Sequence, residues 1–180
     1  MLEGEQNLIG QAKSGKGEAF GQLYDHYSAP IYRFVALKVS SKEEAEDLTH
    51  EAFLSAWQNI KAYKHQGFPF SSWLYQIARN KVIDHYRTNK QHASFENLDE
   101  DILKVVGVVE NNLEISLAMD KVKQAIARLG QEQQDVNIMK FVEDLPNEEI
   151  AKALNKSEGA VRLLQHRAVQ NLKEDLWKNQ

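Results

Sequence analysis

Helical spacing of the apolar residues is the feature that most narrows the fold of this chain. Apolar side chains recur every three or four positions along nearly all of its 180 residues. No stretch shows the sustained alternation, with Asn-Gly or Asp-Gly turns, that indicates a β-sheet. The pattern predicts an all-α protein.

Composition excludes several classes of protein. The chain contains no cysteine, so disulfide scaffolds, thiolate zinc sites and a cysteine nucleophile are ruled out. Its first residues lack the basic and apolar regions of a signal peptide, and no apolar run approaches the roughly 18 residues that a membrane span needs. We therefore expect a cytoplasmic protein with no membrane insertion.

Two local signals predict helix boundaries in the first third of the chain. Ser41 and Glu44 have the spacing of a capping box, which predicts a helix that begins there and continues to about Ile60. Pro30 is typical of a first helical turn and predicts a separate helix over Ile31 to Val39.

Charge is distributed unevenly along the chain, whose net charge is −4. Residues 61–95 and 152–173 are basic, whereas residues 96–115 are acidic, polar and poorly periodic. We predict two small helical domains, residues 1–90 and 116–180, joined by an acidic flexible linker over residues 91–115. An apolar run, Val105 to Val109, does not fit a solvated linker. The basic segments fit nucleic-acid binding or, alternatively, ordinary solvated helix faces.

The C-terminal basic segment has the layout of a helix-turn-helix unit. Asn147 can cap a short helix that ends near Leu154, and Ser157 can cap a second, longer helix. The outward face of the second helix contains no acid between Glu158 and Glu174. That face consists of Arg162, Leu163, His166, Arg167, Gln170 and Lys173. Such a face can enter a major groove; the alternative is a helical hairpin with a solvated polar side.

The other basic segment contains a helix predicted from Trp73 to about Arg87, preceded by a loop. One face of that helix collects Gln76, Arg79, Asn80, Ile83 and Arg87. In the loop, residues 63–70, aromatic side chains alternate with basic ones, a combination typical of single-strand recognition. The alternative is that Phe70 and Trp73 anchor the core.

The two basic elements, in this order and at this spacing, resemble those of bacterial sigma factors of the extracytoplasmic-function group. Residues 44–57, EAEDLTHEAFLSAW, are similar to the helix of that family that docks on the clamp coiled coil of the RNA polymerase β′ subunit. The resemblance implies polymerase contacts by Asp47, Leu48, His50, Glu51 and Leu54.

The same resemblance assigns DNA contacts. Residues 70–80 resemble the promoter-melting segment, and the helix through Asp84 and Arg87 resembles the minus-ten reader, in which Asn80 and the preceding loop hold a flipped base. The implied minus-ten residues are Tyr63, Lys64, Phe70, Gln76, Arg79, Asn80, Ile83 and Arg87. The implied minus-thirty-five residues, in a unit spanning residues 145–172, are Ser157, Arg162, Leu163, His166, Arg167, Gln170 and Lys173. The family often has Ser-Arg where this chain has Leu163 and Leu164, which leaves the target sequence open.

The resemblance implies a sigma factor that binds core RNA polymerase, through the β′ clamp and the β flap, and promoter DNA in double- and single-stranded form. It also implies a possible anti-sigma factor, and neither a cofactor nor a metal. The alternative is a helix-turn-helix regulator that never joins polymerase. We expect no enzymatic activity, because the sequence has one Asp47-x-x-His50 pair and none of the common catalytic motifs.

Overall fold

The computed structural model describes residues 2–65, 67–88 and 124–178, with side chains as far as residue 174. The regular secondary structure of these ranges is helical, which confirms the all-α prediction. The helices are α1 (Glu5–Lys13), α2 (Gly17–Ala36), α3 (Lys42–Asn59), α4 (Phe70–Thr88), α5 (Gln131–Asn137), α6 (Asn147–Leu154) and α7 (Glu158–Lys178). A 3₁₀ turn at Ile60–Ala62 follows α3, and a π-helical turn at Ile138–Val142 follows α5. The predicted linker, residues 91–115 with its Val105–Val109 run, lies outside the described residues.

A cap fixes the start of α3 where the sequence predicts one. The hydroxyl of Ser41 accepts a hydrogen bond from the backbone N–H of Glu44 at 3.2 Å. The Glu44 carboxylate reaches back one residue further than a standard capping box, to the amide and hydroxyl of Ser40. Burial raises the pKa of Glu44, but these hydrogen bonds and nearby His85 outweigh it, and the net pKa lies below its ordinary value.

Pro30 lies inside α2, so the prediction of a separate helix beginning there is wrong. The helix continues because its apolar stripe continues: Leu23, Tyr27, Ile31 and Phe34 are all buried on one side of it. Burial of this stripe outweighs the hydrogen bond that proline cannot donate.

Helices α1 to α4 pack around a shared aromatic and aliphatic core. The rings of Phe34 and Tyr75 join α2 to α4, with centroids 5.4 Å apart and edge-to-face geometry. Phe20 and Tyr24 of α2 meet Phe53 of α3 at 6.5 and 4.7 Å. No helix among the described residues is both long and apolar enough to cross a bilayer.

Helices α6 and α7 form the predicted helix-turn-helix, with one correction at its start. Asn147 does not cap α6, because Pro146 takes the cap position and the side-chain oxygen of Asn147 instead accepts a hydrogen bond from Gln165 in α7 at 2.8 Å. Asn155 makes the tight turn in a left-handed conformation (φ 52°), which asparagine tolerates better than most residues. Ser157 caps α7 as predicted, accepting from the amide of Ala160 at 3.2 Å.

The N-terminal and C-terminal halves pack directly on each other, and α4 lies against α6. Asp135 of α5 is fully buried between two cations of the other half: its carboxylate accepts from the ammonium of Lys38 and from Nε of Arg79, the latter at 2.6 Å. Buried apolar residues form one continuous cluster across both halves. The members from the C-terminal half are Val136, Ile138, Met139, Ile150, Ala151, Ala153, Leu154 and Val161.

Candidate nucleic-acid interface

Helix α7 presents the predicted base-reading face to solvent. Its inward positions Val161 and Ala168 are fully buried. The outward residues are all exposed: Ser157, Arg162, Leu163, His166, Arg167, Gln170 and Lys173. Leu163 is 49% exposed and adds an apolar side chain to this face. The helix therefore offers cations, amide and hydroxyl groups and one apolar side chain on a single surface.

One residue of this face already has a charged partner. Arg162 Nη2 lies 2.8 Å from Glu158 Oε2, one turn earlier in α7, and both side chains are about half exposed or more. An exposed pair of this kind is worth roughly 0.3–0.5 kcal/mol. The ion pair therefore holds the guanidinium near the start of α7. Breaking the pair costs less free energy than a contact with a phosphate or a guanine would provide.

Helix α4 brings together most of the predicted minus-ten residues. Asn80 and Arg87 are exposed, Gln76 and Ile83 are half-buried, and Arg87 pairs with Asp84 at 3.0 Å. Lys64, in the preceding loop, is exposed as well. Gln76, Asn80, Ile83 and Arg87 recur at intervals of three or four residues and therefore share one face of α4.

Two aromatic residues predicted to meet DNA are instead part of the core. Tyr63 and Phe70 are 3% and 0% exposed, and their rings pack on each other and on Trp73 at 5.1–5.6 Å. Burial raises the pKa of Tyr63 to about 12, and its hydroxyl donates to the carbonyl of Phe68 at 2.6 Å. Burial of both rings contradicts their predicted contact with DNA, and the alternative of core anchoring is correct for Phe70; half-buried Trp73 packs against the same core.

Helix α1 contacts this loop, and no pattern in the sequence predicts that contact. The ammonium of Lys13 donates to the carbonyl of Tyr63 at 2.5 Å, and the side chain of Gln6 lies within 3.0 Å of Nδ1 of His65. Both contacts span more than forty residues of sequence. A pairing between a surface lysine and a distant backbone carbonyl leaves no pattern in a sequence.

A second exposed surface lies on α3. Asp47, His50, Glu51 and Leu54 all face solvent, and Leu54 is 57% exposed. Leu48 is different: at 6% exposure it belongs to the core and is not available to a partner. Beside Leu54, the side chains of Phe20, Phe53 and Trp57 line a shallow apolar groove between α2 and α3.

Comparison with known families matches both halves of the chain. A model of sigma-70 region 2 matches residues 23–92, and a model of sigma-70 region 4 matches residues 119–172. The two exposed surfaces of the N-terminal half, on α3 and α4, fall within the first match. Helices α5 and α6, with α7 as far as residue 172, fall within the second.

Two curated relatives extend the match over most of the chain. The ECF RNA polymerase sigma factor BldN of Streptomyces coelicolor is 38% identical over 168 residues, which cover 92% of this chain. The chain spans 63% of the length of that relative. The ECF RNA polymerase sigma factor SigW of Bacillus subtilis is 32% identical over 177 residues, covering 93% of this chain and 94% of the relative.

Two solved structures share the fold. CnrH, in complex with the cytosolic domain of CnrY, has a TM-score of 0.74 at 20% identity and covers 98% of this chain and 99% of that one. The sigma factor RpoE of Bartonella quintana, in complex with the anti-sigma factor NepR, has a TM-score of 0.67 at 20% identity, with coverage of 89% and 98%. The arrangement of helices is therefore that of these proteins.

Proposed function

The chain belongs to the extracytoplasmic-function group of the sigma-70 family, and from that premise we propose that it binds core RNA polymerase, directs it to specific promoters and helps to melt the minus-ten element. Residues 1–90 would dock on polymerase and read the minus-ten element, residues 116–180 would read the minus-thirty-five element, and residues 91–115 would connect them. Polymerase and promoter DNA are cytoplasmic, and the protein would act there. Family membership implies no catalytic activity.

The exposed face of α7 carries this proposal. Every outward position from Arg162 to Lys173 is exposed while the inward positions are covered, and no acid interrupts the face before Glu174. A helix placed at the surface for solubility alone usually mixes charges of both signs. A face of cations and amides, preceded by a capped N-terminus, supports insertion into a major groove.

The surface of α3 supports the polymerase contact. It combines the exposed Leu54 with two acidic residues, Asp47 and Glu51, and with His50, next to the groove lined by Phe20 and Trp57. Exposed apolar side chains within a polar rim are typical of a protein–protein interface. We propose that this surface receives the clamp coiled coil of the β′ subunit. The β flap is proposed to meet the C-terminal half.

On α4, the exposed Asn80 supports a role with single-stranded DNA. Its amide can both donate to and accept from the edge of an unpaired base. The exposed Arg87, two turns further along the same face, and the exposed Lys64 of the preceding loop are cations that can hold phosphates. Gln76, one turn before Asn80, lies on the same face. Arg79 donates to Asp135.

An anti-sigma partner is proposed from relatives. The solved relatives include a sigma factor bound to the anti-sigma factor NepR. The alternative of a regulator that never joins polymerase is not favoured, because both halves match sigma-factor regions and the relatives named above are sigma factors.

The test is reconstitution with sigma-free core polymerase. We expect the purified chain to co-elute with core on gel filtration and the complex to begin transcripts at discrete sites on pooled genomic fragments, as read by sequencing transcript 5′ ends. A known sigma factor serves as positive control for the core. Failure to bind competent core, together with tight duplex binding by the chain alone, would contradict the proposal and favour the regulator.

A further inference from the structure

Two adjacent leucines of α7, Leu163 and Leu164, lie in different surroundings. Leu164 is half-buried and packs against the core, whereas Leu163 is 49% exposed. Because an α-helix turns about 100° per residue, Leu163 points roughly 140–160° away from the fully buried Val161 and Ala168. Leu163 therefore occupies the centre of the outward face, the part of α7 that a major groove would receive.

Polar side chains surround Leu163 on this face. By the same rotation, the exposed Arg167 lies about 40° to one side of it and the exposed His166 about 60° to the other. The exposed Gln170 lies two turns further along, and Arg162 lies at the margin of the face. Such polar groups can hold the helix against phosphates and base edges. Their arrangement places an apolar side chain at the centre of the contact.

The turn before Leu163 leaves it accessible. Long side chains in a helix lean toward the helix N-terminus, over the residue one turn earlier. For Leu163 that residue is Gly159, which is exposed and has no side chain. Leu163 is the sixth residue of α7, which begins at Glu158, and helix-turn-helix proteins contact base edges with the N-terminal residues of their second helix. Leu163 can therefore approach the bases closely.

The chemistry of the major groove limits what such a side chain can recognise. Base edges there present hydrogen-bond donors and acceptors, and thymine adds an apolar C5 methyl group. Leucine cannot form a hydrogen bond with its side chain. Against a methyl group it removes apolar surface from water, whereas against a donor or an acceptor it would exclude water from a polar group and offer it no partner. Leu163 therefore favours thymine and disfavours the other bases.

We propose, on the basis of the proposed function, that Leu163 is a specificity-determining residue that reads the C5 methyl group of a thymine in the minus-thirty-five element. The polar residues around it fix the position of α7 in the groove, and Leu163 selects the base that it meets. The preference depends on one methyl group of the DNA and on one side chain of the protein. Each of the two can be removed separately.

Deoxyuridine scanning of the minus-thirty-five element removes the methyl group. The holoenzyme that contains the full chain first identifies its promoters among pooled genomic fragments. In one such promoter, each thymine of the upstream element, on both strands, is then replaced singly by deoxyuridine, which lacks the methyl group but keeps the same hydrogen-bonding groups. We expect at least one replacement to weaken holoenzyme binding by about threefold to fivefold, the effect of one buried methyl group. An upstream element with no sensitive thymine would overturn the proposal.

Leu163→Ala removes the side chain and completes a double-mutant cycle. Alanine has the highest helix propensity, so the variant should fold, as circular dichroism would verify. We expect it to bind the thymine and deoxyuridine promoters equally at the sensitive position. Leu163→Met, which is apolar and of similar size, should keep the preference for thymine. An undiminished preference in the Leu163→Ala chain would assign the methyl contact to another residue and overturn the proposal.

Two controls confine the effect to Leu163. Gln170→Ala changes another exposed side chain of the same face; whatever its overall affinity, its ratio of thymine to deoxyuridine binding should match that of the parent chain. Deoxyuridine in the minus-ten element faces the other half of the protein, so its effect should be the same with and without Leu163→Ala. Loss of the preference in both Leu163→Ala and Gln170→Ala would indicate a general loss of docking by α7 and overturn the proposal.

This inference and the proposed function fail in different ways. A holoenzyme that begins transcripts at discrete sites but shows no methyl preference, or one independent of Leu163, would overturn the inference and leave the sigma-factor function standing. A chain that does not bind competent core would contradict the proposed function and this inference with it.

Discussion

Arg33 and Glu143 lie 110 residues apart in sequence, yet Nε and Nη2 of the arginine donate to the two carboxylate oxygens at 2.9 and 2.7 Å. The glutamate side chain is 3% exposed and the arginine 26%. The hydrogen bonds that Arg33 donates to Glu143 raise the pKa of Arg33. This forked pair joins α2 to the segment that leads into α6, beside the contacts of Asp135.

A double-mutant cycle on this pair should give a coupling free energy of about 1–3 kcal/mol, because the geometry is bidentate and one partner is desolvated. The variants are Arg33→Gln, Glu143→Gln and both together, measured by urea unfolding. The comparison pair is Lys152 and Glu148 within α6, whose carboxylate is 67% exposed. Its coupling should be much weaker than that of the forked pair, because solvent screens an exposed ion pair. Equal coupling in both pairs would contradict a structural role for the forked pair.

Replacement of Arg162 or Arg167 by alanine should weaken binding of the holoenzyme to its upstream promoter element by about 1–3 kcal/mol each, if the arginine reads a base. The measurement compares promoter DNA with scrambled DNA. Equal loss on both would assign the residue to phosphate contact. Glu158→Gln is the control: it frees Arg162 from its ion pair, so binding should stay equal or become tighter.

Asn80→Ala should leave duplex binding by α7 intact but reduce strand opening at the minus-ten element. A fluorescent base analogue within that element reports opening. Asn59→Ala is the matched control, since Asn59 is also an exposed asparagine but bonds only to its own helix in α3. Normal opening by the Asn80 variant would refute the assignment.

Leu54→Ala should weaken core binding by roughly tenfold while changing the free energy of unfolding by no more than about 0.5 kcal/mol, because the side chain is 57% exposed. Analytical binding to labelled core and urea unfolding are the two measurements. Gln22→Ala, at an exposed position on α2, should change neither core binding nor the free energy of unfolding. A parallel loss of stability in the Leu54 variant would indicate a core role instead.

The protein should lose stability as the pH rises from 10 toward 12. Burial raises the pKa of Tyr63 and of Tyr86 from 10.0 to about 12. The unfolded chain then ionises first, so the stability from these groups is complete below pH 10 and is lost as the pH rises toward 12. Tyrosinate absorbance and circular dichroism should change together. Comparison with Tyr63→Phe and Tyr86→Phe assigns the absorbance to these two residues. A signal near pH 10 that these substitutions remove, in a chain that stays folded, would contradict their burial.

Periodicity and caps predicted the helices well because both are local. Ser41 and Ser157 cap α3 and α7 as expected, since a hydroxyl three residues before an amide depends on nearby residues alone. Pro30 was misread because its local preference gave way to the long apolar stripe of α2. Asn147 was misread because its partner, Gln165, lies in another helix.

The residues of the candidate site were predicted less well than the helices, because their burial depends on contacts between distant parts of the chain. The outward face of α7 follows from counting 100° per residue along one helix. The burial of Leu48, Tyr63 and Phe70 depends on how many neighbours pack around them, and a helix packed on two sides buries more than one stripe. The interface at Asp135 escaped prediction entirely, because a polar residue among other polar residues does not reveal that a partner 97 positions earlier will bury it.

The attachment of α1 to the loop ahead of α4 has a consequence for promoter melting. Lys13 donates to the backbone carbonyl of Tyr63, and Gln6 contacts the ring of His65. The rings of Tyr63, Phe70 and Trp73 pack on one another. Groups already held by such contacts lose little conformational entropy on binding a ligand. Such preorganisation leaves more of the binding free energy to oppose the reannealing of the two strands.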